Sequence, residues 1–258
     1  MRGMDLVLPT EGLEKYKSFS QRARICSEAW AARNLYCPCC SSDHVAQLDV
    51  NTPTTDFRCP TCSAGFQLKC SAKPFGRRLL DGAYSKMRYA ILHSQTPHFL
   101  LMSYELQTLR VQSLICIPDF ALAESALEKR KPLSPRARRA GYVGCNILLT
   151  QIPVDARIHL VKNSVVQSSS AVRTAFRRLK PLALLPVDKR GWTLDVLNVV
   201  RSLNKNEFSL SEVYAFHPRL AELHPNNRHV RDKIRQQLQV LRDLGLLIFL
   251  GDGFYRLT

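Results

Sequence analysis

Four of the nine cysteines stand in two pairs, Cys37-x-x-Cys40 and Cys59-x-x-Cys62, with eighteen residues between them. Two such knuckles at this separation match a tetrahedral, all-thiolate zinc site, which would oblige the intervening chain to fold back on itself. Four thiolates leave no coordination position for water or substrate, so the expected Zn2+ is structural rather than catalytic. Cys39 is an alternative to Cys40, but it would shorten the knuckle to one intervening residue, so Cys40 is preferred. Cys26, Cys70, Cys116 and Cys145 lack spacing partners and read as core. An odd, clustered count in a chain without the apolar stretch of a secretory signal argues against a disulfide framework. The expected location is cytoplasmic.

The second knuckle carries other chemistry on its flanks, in the stretch DFRCPTCSAGFQLK over residues 56–69. If residues 54–59 and 65–70 pair as antiparallel strands, the simplest register sets Asp56 opposite Gln67. Strand alternation then puts Gln67 and Lys69 on one face, with Phe66 and Leu68 on the other. Asp56 and the Gln67 amide oxygen are hard oxygen donors suited to Mg2+. Lys69 is placed to orient or deprotonate a water and to stabilise charge on a phosphate. An Asp, then an acidic residue, a spacer and a Lys on the next strand is the pattern of PD-(D/E)xK nucleases. Pro53 lies upstream as that pattern has it, and Gln67 departs from it by being neutral. Glu28, on an expected first helix, is either a further carboxylate for the site or an ordinary salt-bridged one.

Charge points to the partner. Lys and Arg number 37 against 21 Asp and Glu, a net charge of +16, which suits a polyanion. No apolar run is long enough to cross a bilayer, so nucleic acid is a better partner than a membrane. Helices are expected over residues 18–33, opened by a capping box of Ser18 and Gln21, and over 81–93. Strands are expected over 99–104, 109–117 and 157–161, which together suggest an α/β domain. Residues 129–139, KRKPLSPRARR, hold six basic residues, no acidic ones and two prolines, and read as an extended strap. Residues 165–190 read as a polar linker with one short helix.

The tail has the order of a winged helix. Trp192, Val196, Val200 and Leu203 mark a first helix, and Ser209-x-x-Glu212 is a capping box for a second. Asn227 is placed to cap a third that ends at Gly245, and GDG joins two short strands. On the third helix Val230, Ile234, Leu238 and Leu241 share one face. Arg228, Arg231, Asp232, Arg235, Gln239 and Arg242 share the opposite one, where Arg and Gln can read base edges and hold phosphates. Trp30 and Trp192 read as core.

Taken in order, the cysteine site interleaved with Asp56 and Lys69, then RKPLSPRARRAG, GCNI, RGWT and KIRQQLQ, resemble the DpnI-type methyl-directed restriction endonucleases along essentially the whole chain. The resemblance implies an α/β PD-(D/E)xK endonuclease domain with an inserted four-cysteine zinc site over residues 1–182, followed by a winged-helix DNA-binding domain over 183–258. It implies Mg2+-dependent cleavage of double-stranded DNA at GATC sites carrying N6-methyladenine, with both domains binding the methylated target. Asp56, Gln67 and Lys69 fall on the catalytic positions, and Cys37, Cys40, Cys59 and Cys62 on the zinc ligands. Where the family reads FELK this chain has Phe66-Gln67-Leu68-Lys69, and where RAGW is familiar it has Arg139-Ala140-Gly141-Tyr142. Tyr142 is thereby a candidate for contact with the methylated base, among strap residues Arg136, Arg138 and Arg139. The alternative is a protein of the same fold that binds methylated DNA without cutting it. Nothing reads as a dimer interface, so a monomer is expected.

Overall fold

The computed structural model describes residues 3–258 except 50, 51 and 53, so Pro53 lies outside the described residues. In chain order the elements are α1 (Phe19–Asn34), β1 (Ala46–Gln47), β2 (Phe57–Arg58), β3 (Gly65–Ser71), β4 (Arg78–Ala83), α2 (Tyr84–Leu92), β5 (His98–Tyr104) and β6 (Val111–Ile117). They continue with β7 (Leu127–Lys129), β8 (Gly144–Leu148), β9 (Ile158–Lys162), β10 (Val165–Val166), α3 (Ser169–Leu179) and α4 (Val187–Ser202). The C-terminal group is β11 (Glu207–Ser209), α5 (Leu210–Tyr214), α6 (His217–Leu223), α7 (Val230–Asp243), β12 (Leu247–Gly251) and β13 (Phe254–Leu257).

The chain divides into two compact units. The first joins residues up to Gly76 with Gln95–Asp119 and Asp155–Arg177; the second joins Arg77–Ser94, Phe120–Val154 and Arg178–Thr258.

The first unit is built on a seven-stranded sheet in the order β1-β2-β3-β5-β6-β9-β10. Only the β3–β5 pair among these is parallel, because the chain leaves after β3 and returns in the same direction. Every residue of β5 is buried, the signature of a strand covered on both faces. Helix α1 packs on β3 through Cys26, Trp30 and Ala31, and the Trp30 indole donates to the Asp5 carbonyl at 2.7 Å. Its first turn departs from the expected capping box: the Ser18 hydroxyl turns to Ser20 at 2.8 Å, and no side chain caps the helix.

In the second unit β4, β8 and β7 form an antiparallel sheet, and β11, β13 and β12 form another beneath the C-terminal helices. Residues 81–83, expected at the start of a helix, belong to β4, where Asp81 pairs with Cys145 and Ala83 with Gly144. The stretch read as a linker is ordered structure, since β10, α3 and the start of α4 lie within it. In α3, Val172, Phe176 and Leu179 recur at helical steps and are buried. The expected second helix of the tail is split into α5 and α6, with Pro218 in the first turn of α6.

Candidate active site, metal centre and DNA-binding elements

The four cysteines converge. Their Sγ atoms all lie within 4.8 Å of one another, with Cys37–Cys62 and Cys40–Cys59 each at 3.6 Å. Tetrahedral ligands at zinc–sulfur distances of about 2.3 Å stand roughly 3.8 Å apart, so the cluster has the dimensions of a closed zinc site. Backbone N–H groups support the sulfurs, Cys39 donating to Cys37 Sγ at 3.4 Å and Ser42 to Cys40 Sγ at 3.5 Å. Cys39 itself is outside the cluster.

Without a cation the thiols do not ionise together. Cys37 is pushed up by its hydrogen bond with Cys39 and by burial, Cys40 by burial, and Cys62, although its residue is exposed, by partial desolvation of the thiol and by hydrogen bonds with the neighbouring thiols. Burial also opposes ionisation of Cys59, but the N–H groups of Cys62 and Thr61 and the neighbouring thiols pull it down to about 6. Such a donor set calls for a soft divalent cation to deprotonate the rest. Arg173 on α3 pins the first knuckle from outside, donating from Nε to the Cys37 carbonyl at 3.2 Å and from Nη2 to the Ser42 carbonyl at 2.8 Å.

The second knuckle is the turn of a hairpin. Cys59 N–H donates to the Ala64 carbonyl at 2.9 Å, and Ser63 closes the reversal with φ 60°. Phe57 pairs with Phe66 and Arg58 with Gly65, and the paired register ends there. Asp56 N–H donates to the Phe66 carbonyl at 2.8 Å, so Asp56 shares Phe66 with Phe57 instead of standing in the expected pair with Gln67. Strand β2 stops at Phe57 rather than running from residue 54; Thr54 takes φ 61° and the chain bends at Asp56. At that bend the Asp56 carboxylate replaces a ladder bond, its Oδ2 accepting from Leu68 N–H at 2.7 Å. A carboxylate is thus fixed beside β3 between the positions of Gln67 and Lys69, and all three residues are half-buried. Lys69 Nζ lies 5.9 Å from the centroid of the Phe99 ring on β5.

Glu28 is salt-bridged, and its partner Arg24 also feels the charge of Asp56. Its carboxylate is held by Arg24 Nε at 2.6 Å and Gln47 Nε2 at 3.3 Å, and the hydrogen bond with Glu28 raises Arg24 above its usual range.

The basic strap is the tip of the β7–β8 hairpin, with Arg136, Arg138 and Arg139 exposed and Tyr142 half-buried. In the second unit the apolar face of α7 is buried as its periodicity requires, and Arg231, Arg235 and Gln239 are exposed. Arg228 is exposed too, but it precedes the helix, whose N-cap is His229. Asn227 caps nothing; its Oδ1 accepts from His229 N–H at 2.8 Å in the approach to α7.

Several positioning residues escaped the sequence reading. Gln237, fully buried on α7, accepts from Thr193 Oγ1 at 2.7 Å and so fixes the rotation of that helix. Trp192 stacks on His224 at 3.7 Å, and the buried Asp195 holds His224 Nε2 at 2.8 Å and Ser125 Oγ at 2.7 Å. Arg190 donates to Ser94 Oγ at 2.9 Å. The RGWT stretch is therefore a packing hub, and its polar residues in mid-helix were the available signal. A cavity of about 650 Å3 beside it is lined by Trp192, Asp195, His224 and Ser125. It is no hydrolytic triad, because the serine hydroxyl bonds the carboxylate and not the histidine.

Comparison with known families accounts for both parts of the chain. The family described as DpnI, Dam-replacing family, matches residues 4–184. The family described as DpnI_C, Dam-replacing HTH domain, matches residues 188–257. A four-cysteine cluster in an α/β scaffold and a helix-turn-helix with an arginine-bearing third helix agree with those matches. The protein is thus a DNA-binding, methyl-directed restriction nuclease, and the chain belongs to the DpnI, or Dam-replacing, family.

Proposed function

We propose that the protein cleaves double-stranded DNA at GATC sites containing N6-methyladenine by Mg2+-dependent phosphodiester hydrolysis, as a monomer in the cytoplasm. Nuclease work is assigned to residues 1–182 and a second reading of the target to 183–258. The observation that carries this is the Asp56 carboxylate fixed on Leu68 N–H between Gln67 and Lys69.

Asp56 and the Gln67 amide oxygen are hard oxygen donors and suit Mg2+, although they bring one negative charge where two are usual. When bound, the ion neutralises phosphate charge and lowers the pKa of a coordinated water. Leu68 N–H holds the Asp56 carboxylate in place, and β5 backs the strand that carries Gln67 and Lys69. Lys69 offers an ammonium to orient the attacking water and to stabilise charge on the phosphate. Cys37, Cys40, Cys59 and Cys62 hold Zn2+ and tie the turn of the hairpin.

Recognition is assigned to Arg136, Arg138, Arg139 and Tyr142 on the strap and to Arg228, Arg231, Arg235 and Gln239 at α7. The methyl group of N6-methyladenine projects into the major groove, and burying it is worth about 1 kcal/mol. Reading it more than once sharpens the discrimination roughly multiplicatively. The test is digestion of plasmid DNA from strains with and without adenine methylation. Cutting of methylated DNA alone, abolished by Lys69→Ala, is expected. Equal resistance of both plasmids with Mg2+ or Mn2+ present would sink the proposal. Gln67 favours one second reading, a methyl-DNA binder that does not cut, which predicts methyl-dependent gel shifts without products.

A further inference from the structure

The β7–β8 hairpin continues past its last ladder pair. Arg130 N–H donates to the Gly144 carbonyl at 3.0 Å, Leu133 N–H to the Tyr142 carbonyl at 2.9 Å, and Gly141 N–H to the Leu133 carbonyl at 3.1 Å. Gly141 turns the chain with φ 75°, which an L side chain adopts only under strain. Tyr142 therefore stands at a fixed place at the base of the loop. One edge of its ring is against Gly144, where a Cβ would meet both Tyr142 Cε1 and Arg130 Nη1 at 3.4 Å. The guanidinium of Arg139, otherwise exposed, lies 4.0 Å from the centroid of the same ring. In the free protein a strap cation thus covers one face of the ring assigned to the methylated base.

We propose that Arg139 is a displaceable cover on Tyr142: methylated DNA draws the guanidinium from the ring to a backbone phosphate, and the methyl group takes its place. This rests on the assignment of Tyr142 as a methyl-reading residue. A guanidinium over a half-buried ring is held more weakly than one hydrogen-bonded to a phosphate oxygen, so phosphate wins the cation once the ring can be covered by something else. At the adenine amino group, which Tyr142 is assigned to read, only methylation supplies that apolar replacement. On unmethylated DNA the ring would be left against a polar amino group, so Arg139 stays on it. Methyl recognition and one phosphate contact are then made together or not at all.

Each phosphate neutralised adds about 0.9 to the salt dependence of duplex binding. Binding is measured at several salt concentrations, without Mg2+, on methylated and unmethylated GATC duplexes. For the unaltered protein the log–log slope is expected to be steeper by about 1 on methylated DNA. Arg139→Ala removes that difference and weakens methylated binding, while Arg139→Lys, which keeps the charge, retains it. Equal slopes for the unaltered protein overturn the cover, even if Tyr142→Ala lowers the methyl preference. A methyl preference untouched by Tyr142→Ala overturns the reading of Tyr142 itself, and the cover with it.

Discussion

The chemistry narrows to residue 67. An amide there supplies an oxygen but no charge, leaving Asp56 as the single anion among the assigned Mg2+ ligands. Gln67→Glu is expected to lower the Mg2+ concentration for half-maximal cleavage by about tenfold, the effect of roughly 1.4 kcal/mol of restored ion attraction at a half-buried site. Titrating the cleavage rate of both proteins against Mg2+ measures it, and an unchanged midpoint removes Gln67 from the metal site. The turn of this site was legible, because the cysteine spacing marks it and strand alternation then puts Gln67 and Lys69 on one face. The expected pairing of Asp56 with Gln67 was not borne out, since β2 gives way at Phe57 and Asp56 N–H goes to the Phe66 carbonyl. The hydrogen bond from Leu68 N–H to Asp56 was not legible, since it arises where β2 ends at a bend and the side chain takes the place of a ladder partner. Arg139 over Tyr142 was equally hidden, because a contact three residues apart depends on the loop's own turn.

At the scale of elements, the amphipathic α7 and the Ser209 capping box were readable from local pattern alone. Both halves of the box form, Glu212 N–H donating to Ser209 Oγ at 3.3 Å and Ser209 N–H to Glu212 Oε2 at 2.8 Å. Ser209→Ala should destabilise the protein by about 1 kcal/mol in denaturant unfolding. What local pattern missed was decided by distant partners. Residues 81–83 share the helical periodicity of residues 84–92, yet their backbone pairs with residues 144 and 145, far along the chain. The same sheet carries a pH dependence. Hydrogen bonds from Arg78 first, and from Asn146, pull the Glu128 carboxyl down to about 2 from an ordinary 4.5. Because the folded value is depressed, this stabilisation is complete above about pH 4.5 and disappears as pH falls through about 2. Melting temperatures of Glu128→Gln should therefore lie below those of the unaltered protein at neutral pH and converge with them toward pH 2. A gap of constant size would show that the carboxylate charge is irrelevant.

For the whole molecule, the two metals proposed above, Mg2+ at the cutting site and Zn2+ at the four cysteines, predict two kinds of loss. Chelating Mg2+ should stop cleavage reversibly, with full recovery on adding it back. Stripping Zn2+ should abolish cleavage that Mg2+ alone does not restore, because zinc bound by the four thiolates would contribute to the folding free energy of the hairpin bearing Asp56 and Lys69. Circular dichroism with and without each metal separates the cases: only zinc removal should change the spectrum. The excess of cations, +16 over the chain, pointed only to a polyanion, and the family matches narrow that to DNA. It says nothing of which groups turn toward DNA.

Strand β3 acquires its two neighbours on different terms. β2 is local and tied by the cysteine turn, whereas β5 arrives only after 26 further residues, 72–97, that include another strand and a helix. Closing that longer loop costs more entropy and delays non-local pairing. As the chain leaves the ribosome, the hairpin turned at the second cysteine knuckle can form first, but β3, with Gln67 and Lys69 on it, stays an open edge until β5 has been synthesised and docked. A chain interrupted before residue 98 therefore carries all the residues assigned to cutting and zinc binding, yet has no completed sheet to hold them in order.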